Sequence, residues 1–553
     1  MDKRTILAFA LSFIVLLFWS VLFTPTPQES GQPVKKQMEA QDSAVEPLRP
    51  ASPHTALPPR LPERQDLKPT SVAEKEIIVE TPLYRAVFTN IGPSLKLFEL
   101  KKYRQTIKKD SPPVNLVPGK NHKRFIVIDF VESLGNGNED VLYDTELDHI
   151  ILKEEDKPEE VLFKGQLPNG LVVEKIYRFY PDQYKIDLEV RVKNFNSTRV
   201  KGQFLVEINP VLPKDKKSYY SSFTGLTVLK NNEYTEIGLD DPGDKIGLEG
   251  QIGWIAFQEP YFISAVVPEE VTQAKVEALK EEGDRLHGRL INSSLVLPPG
   301  GQVTSSYAMF LGPLDLGLLG QFGKGLDKAI NFGWTDVIAK PLLHALRFFN
   351  KWVHNYGVAI ILLTILVKLL FWPLTHKSYK SMKEMQKLQP LMMKIREKYK
   401  NNKEQMNKEL MALYKTYKVN PMSGCLPMIV QIPVFFALYK LLVQAIELRH
   451  APFILWINDL SAPDRLFNFP FSIPLMAPPY GIPVLTLLMG ASMFIQQKMT
   501  PTTGDPTQAK MMMLLPIVFT FLFINFPSGL VLYWLVNNIL SIAQQYAIYK
   551  KSS

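Results

Sequence analysis

The stretch YGVAIILLTILVKLLFWPL, from Tyr356 to Leu374, is apolar apart from Lys368 and long enough to cross a bilayer. A lysine at the centre of a membrane helix costs roughly 2.5–3.5 kcal/mol on insertion scales. A chain that keeps one there is expected to give it polar company or a wet cavity. Five further apolar runs follow the same length rule: Ile6–Phe23, Cys425–Ile446, Tyr480–Met499, Met511–Phe526 and Leu530–Tyr549. The fifth of the six spans in chain order, 511–526, is the shortest. It should sit in thinned bilayer or against neighbours.

Charge orients the six spans. The formal net charge is +9, and Thr375–Met422 alone holds 12 Lys/Arg against 4 Glu, a surplus of 8. Basic loops face the cytoplasm. Lys498 and Lys510 in the next inner loop, and the short basic tail 550–553 with Lys550 and Lys551, agree with that side. Both termini are then inside. Lys3 and Arg4 before Ile6–Phe23, and the exit Phe23-Thr24-Pro25-Thr26-Pro27, read as an uncleaved signal-anchor over 1–23 rather than a removed signal peptide. Residues 24–75 carry ten prolines and no apolar periodicity, as in an extended tether.

Residues 76–325 read differently. Short alternating runs, among them Ile77–Thr89, Arg124–Val131, Leu171–Phe179, Tyr184–Val192 and Gln203–Ile208, are separated by turn signals such as Pro168-Asn169-Gly170 and Pro299-Gly300-Gly301. This spacing predicts a large antiparallel β-sandwich outside the membrane. Ala274–Glu282 reads as a short helix. Chemistry is sparse: His122, His149 and His287 are scattered with no motif tying them to carboxylates, and DDPGDK at Asp240–Lys245 fits no EF-hand spacing and reads as a solvated turn. The single Cys425 excludes an internal disulfide framework and reads as a small buried hydrophobe. No cofactor or metal is implied.

Residues 326–355 place Trp334, Ile338, Leu342, Ala345, Phe349 and Trp352 at helical spacing, with Lys340, His344, Arg347 and Lys351 between them. An interfacial amphipathic helix is expected, kinked or divided at Pro341. Residues 375–422 read as a helical hairpin. One stripe is Met382, Met385, Leu388, Met392, Ile395 and Tyr399, interrupted at Pro390; the turn is Asn401-Asn402. The other stripe is Met406, Leu410, Leu413 or Tyr414, and Tyr417. The stripes must partly hold the hairpin together. Six methionines between Met382 and Tyr417, with Met393 beside Lys394 and Arg396, also suit an adaptable surface for apolar segments. Its cations could meet anionic phospholipid or ribosomal RNA.

Polar residues recur on four spans. Thr364 and Lys368 share a face. The last span carries Trp534, Asn537 or Asn538, Ser541, and Gln544 or Gln545; the third opens Cys425-Leu426-Pro427 and carries Gln431; the fourth has Thr486 and Ser492. Snorkelling of Lys368 and interhelical hydrogen bonding are the plain alternatives. The common depth of these residues favours a hydrated pocket, open inward and closed outward, with Lys368 as its positive pole. No P-loop, metal cluster or nucleophile arrangement accompanies it, so the energy for moving a passenger would come from its own apolar surface entering lipid.

At these residues the chain resembles the YidC/Oxa membrane protein insertase family in its Gram-negative form. The motifs are ALYKTYKVNPMSGCLPMIVQIPVFFALY (Ala412–Tyr439), APFILWINDLSAPD (Ala451–Asp464) and FPSGLVLYWLVNN (Phe526–Asn538), in a match covering roughly Gly357–Tyr549. The resemblance implies a polytopic inner-membrane protein with a five-helix insertase core, a large periplasmic sandwich similar to sugar mutarotases without their activity, and no catalysis. It implies an insertase and chaperone for nascent membrane proteins, working alone or with the Sec translocon and its accessory subunits. Substrates would be delivered by the ribosome, signal recognition particle and its receptor. Thr364 and Gln431 match groove-lining positions, and Tyr533 and Trp534 match the aromatic pair that touches passing segments. Lys368 stands where the family usually has Arg; it keeps the charge and loses the bidentate fork. The rivals are a transporter, which would show inverted repeats, and a membrane-anchored carbohydrate enzyme. Deleting most of Glu76–Leu311 while keeping 326–355 separates them: insertion activity should largely survive, whereas an enzyme seated in the sandwich would lose all turnover.

Overall fold

A computed structural model of the chain describes residues 74–117, 125–132, 141–212, 223–417, 419, 426–500 and 506–550. The expected signal-anchor, nearly all of the tether, His122, Cys425, Lys551 and the end of the hairpin loop lie outside them.

Alternation decides the first half. Lys185–Asn194 buries every second residue, as a strand with one face on a core must. Two sheets form. One runs Pro113–Asn115, Ser94–Arg104, Tyr84–Thr89, Glu76–Glu80, His149–Ile151 in five strands; the other has thirteen. They pack face to face, with Phe88 of the first sheet 5.1 Å from Tyr177 and 5.6 Å from Phe179 of the second, ring centre to ring centre. The sandwich is therefore antiparallel except where Glu76–Glu80 pairs in parallel with His149–Ile151. The expected single run Ile77–Thr89 is two strands, because Thr81 Oγ1 accepts from the amides of Leu83 and Tyr84 and turns the chain. The expected helix at Ala274–Glu282 is wrong: Thr272–Glu281 is a strand, paired on one side with Lys245–Gln258 and on the other with Arg285–Asn292. A central position in a sheet overrides the helix preference of its Ala, Lys, Glu and Leu. Asp240–Lys245 is a turn closed by Asp244, whose Oδ2 accepts from the amides of Asp240 and Asp241. His287 does meet a carboxylate: its Nε2 lies 3.1 Å from Glu281 and its Nδ1 2.9 Å from Asn209. Strand pairing brings these groups together; nothing in their sequence spacing does.

The second half is helical: α1 (Leu316–Phe322), α2 (Asp336–Val353), α3 (Tyr356–Leu370), α4 (Trp372–Lys387), α5 (Gln389–Lys398), α6 (Lys403–Thr416), α7 (Leu426–Gln444), α8 (Val484–Met499), α9 (Pro506–Phe523) and α10 (Ser528–Lys550). Pro341 does not divide the segment; it lies inside α2. The helix buries Ala339, Leu343 and Leu346, packs on α3 and α7, and exposes Trp352 and Phe348. The expected run 356–374 is broken. Pro373 has no amide to offer Leu369, so α3 ends at Leu370 and α4 leaves at 65°. Residues 480–482 form a strand with 466–469 rather than the start of a helix. α9 begins at Pro506, so it is longer than the 511–526 expected, and α3, with 15 residues, is the shorter. Among the described residues no single helix is long and apolar enough to cross a membrane; the bent pair α3–α4 reaches that length and composition only when both helices are taken together.

Charges join the two halves. Asp315 caps α1 through the amides of Gly317 and Leu318, and its Oδ2 takes the Arg347 Nη2 of α2 at 2.6 Å. Arg347 Nε reaches Glu447, just past α7, at 3.2 Å. Arg449 donates to the Arg104 carbonyl at 2.8 Å and lies 5.4 Å over the Phe262 ring. Burial pushes the Glu447 carboxyl above its ordinary range, and Arg347 opposes that rise. A carboxyl raised in this way adds stability below its unfolded value and loses it as pH rises through the folded one. Arg347→Met should destabilise the junction by about 2 kcal/mol at neutral pH, by leaving the buried Glu447 carboxyl and Asp315 without their cation. Arg347→Met combined with Glu447→Gln should recover the share of that loss due to Glu447. Thermal unfolding of the single and double variants in detergent checks both; equal losses would remove the pairing.

Candidate functional site

The bend after α3 is what builds the site. It turns Thr375 back toward α10, where Thr375 Oγ1 accepts from Gln544 Nε2 at 2.9 Å. One face of α3 brings Lys368 to the same helix. Lys368 is 9% exposed, and its ammonium donates to Ser541 Oγ at 2.5 Å. Ser541 in turn donates to the Asn537 carbonyl at 2.7 Å. Beside this pair lies a cavity of about 190 Å³ lined by Ile365, Lys368, Leu369, Trp372, Leu540, Ala543 and Gln544. A lysine has three donors and no acceptor, so one bond to Ser541 leaves N–H groups for whatever enters.

The other expected residues do not share one network. Gln431 of α7 donates to the Tyr533 hydroxyl of α10. Asn538 donates to Ser492 of α8 at 3.0 Å, and Gln545 to the Met499 carbonyl at 2.8 Å. Thr364 is buried and bonds only its own helix, at the Ile360 carbonyl, 2.7 Å away. Trp534 is half-buried among Phe435 (4.8 Å), Phe523 (5.0 Å) and Phe519 (6.1 Å). The single pocket expected from sequence is thus several polar contacts between α10 and different neighbours, with open volume at Lys368. Thr375 was missed, although it lies seven residues, two helical turns, beyond Lys368.

The far end of the bundle is closed. Asp464 accepts from Trp456 Nε1 at 2.5 Å and from the Leu485 amide. Arg465 donates to the carbonyls of Pro479 (2.9 Å) and Ile524 (2.8 Å), and Asn525 binds the Ala477 amide at 2.7 Å. Together these stitch the loop 451–483 across the ends of α8 and α9.

The hairpin has its own small core of Leu388, Met392 and Leu410, with Leu391, Ile395, Met406, Leu413 and Tyr414 packed on it. Asn402 caps α6, as the turn reading expected. Met385 and Met392 are buried and Met382 and Met406 half-buried, so they serve packing; Met393, Lys394 and Met411 are exposed, with Arg396 half-exposed. Lys383 Nζ caps the α10 carbonyl of Tyr549 at 2.9 Å and so ties the hairpin to the site helix. Among the described residues no group of His, Cys, Asp or Glu is arranged to hold a metal.

The site thus lies in a helical bundle, with a buried cation at a cavity, that is joined to a large β-sandwich. The 60Kd inner membrane protein family model matches residues 348–553, and the YidC periplasmic domain model matches 76–345. The Membrane protein insertase YidC of Syntrophus aciditrophicus (strain SB) is 43% identical over 100% of both chains. That of Syntrophobacter fumaroxidans (strain DSM 10017 / MPOB) is 42% identical over 99% of each. A crystal structure described as an active YidC insertase with the first transmembrane domain resolved is 21% identical, covers 86% of this chain and 93% of its own, and superposes with a TM-score of 0.36. The chain belongs to the YidC membrane protein insertase family.

Proposed function

We propose that the protein inserts nascent inner-membrane proteins and assists their folding, alone or beside the Sec translocon, and that it is not an enzyme. The observation that carries the mechanism is the Lys368–Ser541 contact at the edge of the cavity. The cavity sits near the hairpin end of α3, where a segment leaving the cytoplasm would arrive. There the ammonium offers its free donors to a polar or acidic flank, while the apolar part of the segment slides onto lipid along the exposed Leu366, Leu369 and Leu370. Burial of that apolar surface, worth about 25 cal/mol per Å², drives the step. The ties of Asp464, Arg465 and Asn525 shut the opposite end, so the passenger is delivered sideways.

The topology we infer has six spans with both termini cytoplasmic. Its support is the charge surplus of the loop that becomes α4–α6, together with the sandwich at the opposite end. The passenger contacts we assign are Lys368, Gln431, Tyr533, Trp534, Asn537 and Ser541, with Thr364 and Asn538 supporting the helices. Exposed Met393, Lys394 and Met411, with half-exposed Arg396, form the face offered to ribosome-bound chains, signal recognition particle and its receptor, or anionic lipid.

Site-specific photocrosslinking tests the reading. A photoreactive residue at Leu540, which lines the cavity, should form adducts with a ribosome-bound chain carrying one membrane segment, and one at Leu488 on the exposed flank of α8, away from the cavity lining, should form far fewer. Lys368→Arg should keep the Leu540 adducts. Lys368→Glu should reduce them by on the order of tenfold, the effect of about 1.4 kcal/mol. Equal adducts at both positions, or an unaffected Lys368→Glu variant, would sink the groove mechanism.

A further inference from the structure

The loop between α7 and α8 has an unusual surface. From Leu466 to Gln497 the chain carries no Asp, Glu, Lys, Arg or His. Its first part, 466–482, is the hairpin stitched down by Arg465 and Asn525, which bind the Leu475 and Pro479 carbonyls and the Ala477 amide. Outward it presents Phe467 (68% exposed), Phe471 (60%) and Leu475 (80%); Leu455 in the preceding turn is 79% exposed. Prolines at 470, 474, 478 and 479 remove amide donors from the same surface.

Three of these side chains also sit at left-handed backbone positions: Leu455 at φ +56°, Phe467 at +61° and Leu475 at +64°. In water, such turns are the place of Gly, Asn or Asp, and bulky apolar residues are outliers there. The chain thus puts its least suitable residue types at loop positions facing outward. Single exposed hydrophobic residues are ordinary. Here the uncharged run of the chain continues into α8, whose Leu487 and Leu488 are exposed.

We propose that this loop is a lipid-seated foot: Leu455, Phe467, Phe471 and Leu475 enter the hydrocarbon edge of the outer leaflet and fix the depth of the bundle on its sandwich side. The occupant is lipid rather than a protein partner. The patch offers no charge for complementarity, and it is continuous with the α8 flank that any membrane placement of these helices must bury in acyl chains. The inference rests on the membrane placement proposed above.

The test uses spin labels on the full chain in vesicles of phosphatidylethanolamine and phosphatidylglycerol. Cys425, the only cysteine, is first replaced by Ser. Labels then go onto Leu475→Cys and Phe467→Cys, with Leu487→Cys as the lipid reference and Asp241→Cys on the exposed sandwich turn as the aqueous one. Collision with oxygen over a nickel chelate should favour oxygen at 475 and 467 by on the order of threefold or more relative to 241, because oxygen concentrates in hydrocarbon and the chelate is excluded from it. Labels at 475 and 467 as aqueous as 241, with 487 in lipid, would overturn the foot and leave the membrane placement standing. An aqueous 487 would overturn the placement and the foot together. Two loop positions guard against one variant misfolding.

Discussion

The arrangement turns on one ammonium held among apolar helices. Lys368 cannot be taken out of water without an acceptor or access to solvent, and the chain supplies both: Ser541 on α10 and an open volume at its side. Each support has its own support. Ser541 hands its proton to a carbonyl one turn back, and the broken helix that opens the cavity is locked by Thr375 on Gln544. Without the bend at Pro373 the chain would run straight on from α3 and Thr375 would lose its contact with Gln544. A cation, a proline and a polar stripe are therefore one device.

The opposite end answers the complementary need, which is closure. Asp464, Arg465 and Asn525 spend their polar atoms on loop backbone, where unpaired groups would be expensive near lipid. Farther out, Asp315, Arg347 and Glu447 lock the last strand of the sandwich to α2 and to the end of α7. Only two residues separate α2 from α3, and the α3 cap Asn355 also holds the Phe453 carbonyl. A Cβ at Gly357 would collide with the Phe453 ring, so that ring packs directly on the α3 backbone. The sandwich is thus joined firmly to the helix that carries Lys368, though it adds nothing to the cavity.

What could be read from sequence follows from where the information is local. Alternation in 185–194 and the i, i+4 pair Thr364–Lys368 are local patterns, and both guided the reading correctly to a strand and to a buried face. The choice between Asn537 and Asn538, or Gln544 and Gln545, was not local. Helical spacing groups Ser541 and Gln544 toward α3 and α4, and Asn538 and Gln545 toward α8, while Asn537 enters through its carbonyl, which accepts from Ser541. Gln544 and Gln545 are thus used on different sides, which a single stripe could not express. Thr272–Glu281 was misread because its neighbours in the sheet, not its own residues, decide its state. The broken span was misread because a proline after an apolar run fits both a loop start and a bend.

Length then ties the ends together. α3 has 15 residues, roughly 22 Å at 1.5 Å each, against a hydrocarbon layer of about 30 Å. A helix that short leaves apolar thickness uncovered. In the membrane placement we propose, Lys368 and the cavity would bring polarity into that layer on the hairpin side. A charged loop by the ends of α8 and α9 would bring it in on the sandwich side as well. An uncharged loop tied down by Arg465 and Asn525 would keep that side apolar without longer helices. The proposed pole and the proposed foot thus divide the two ends of the bundle between them.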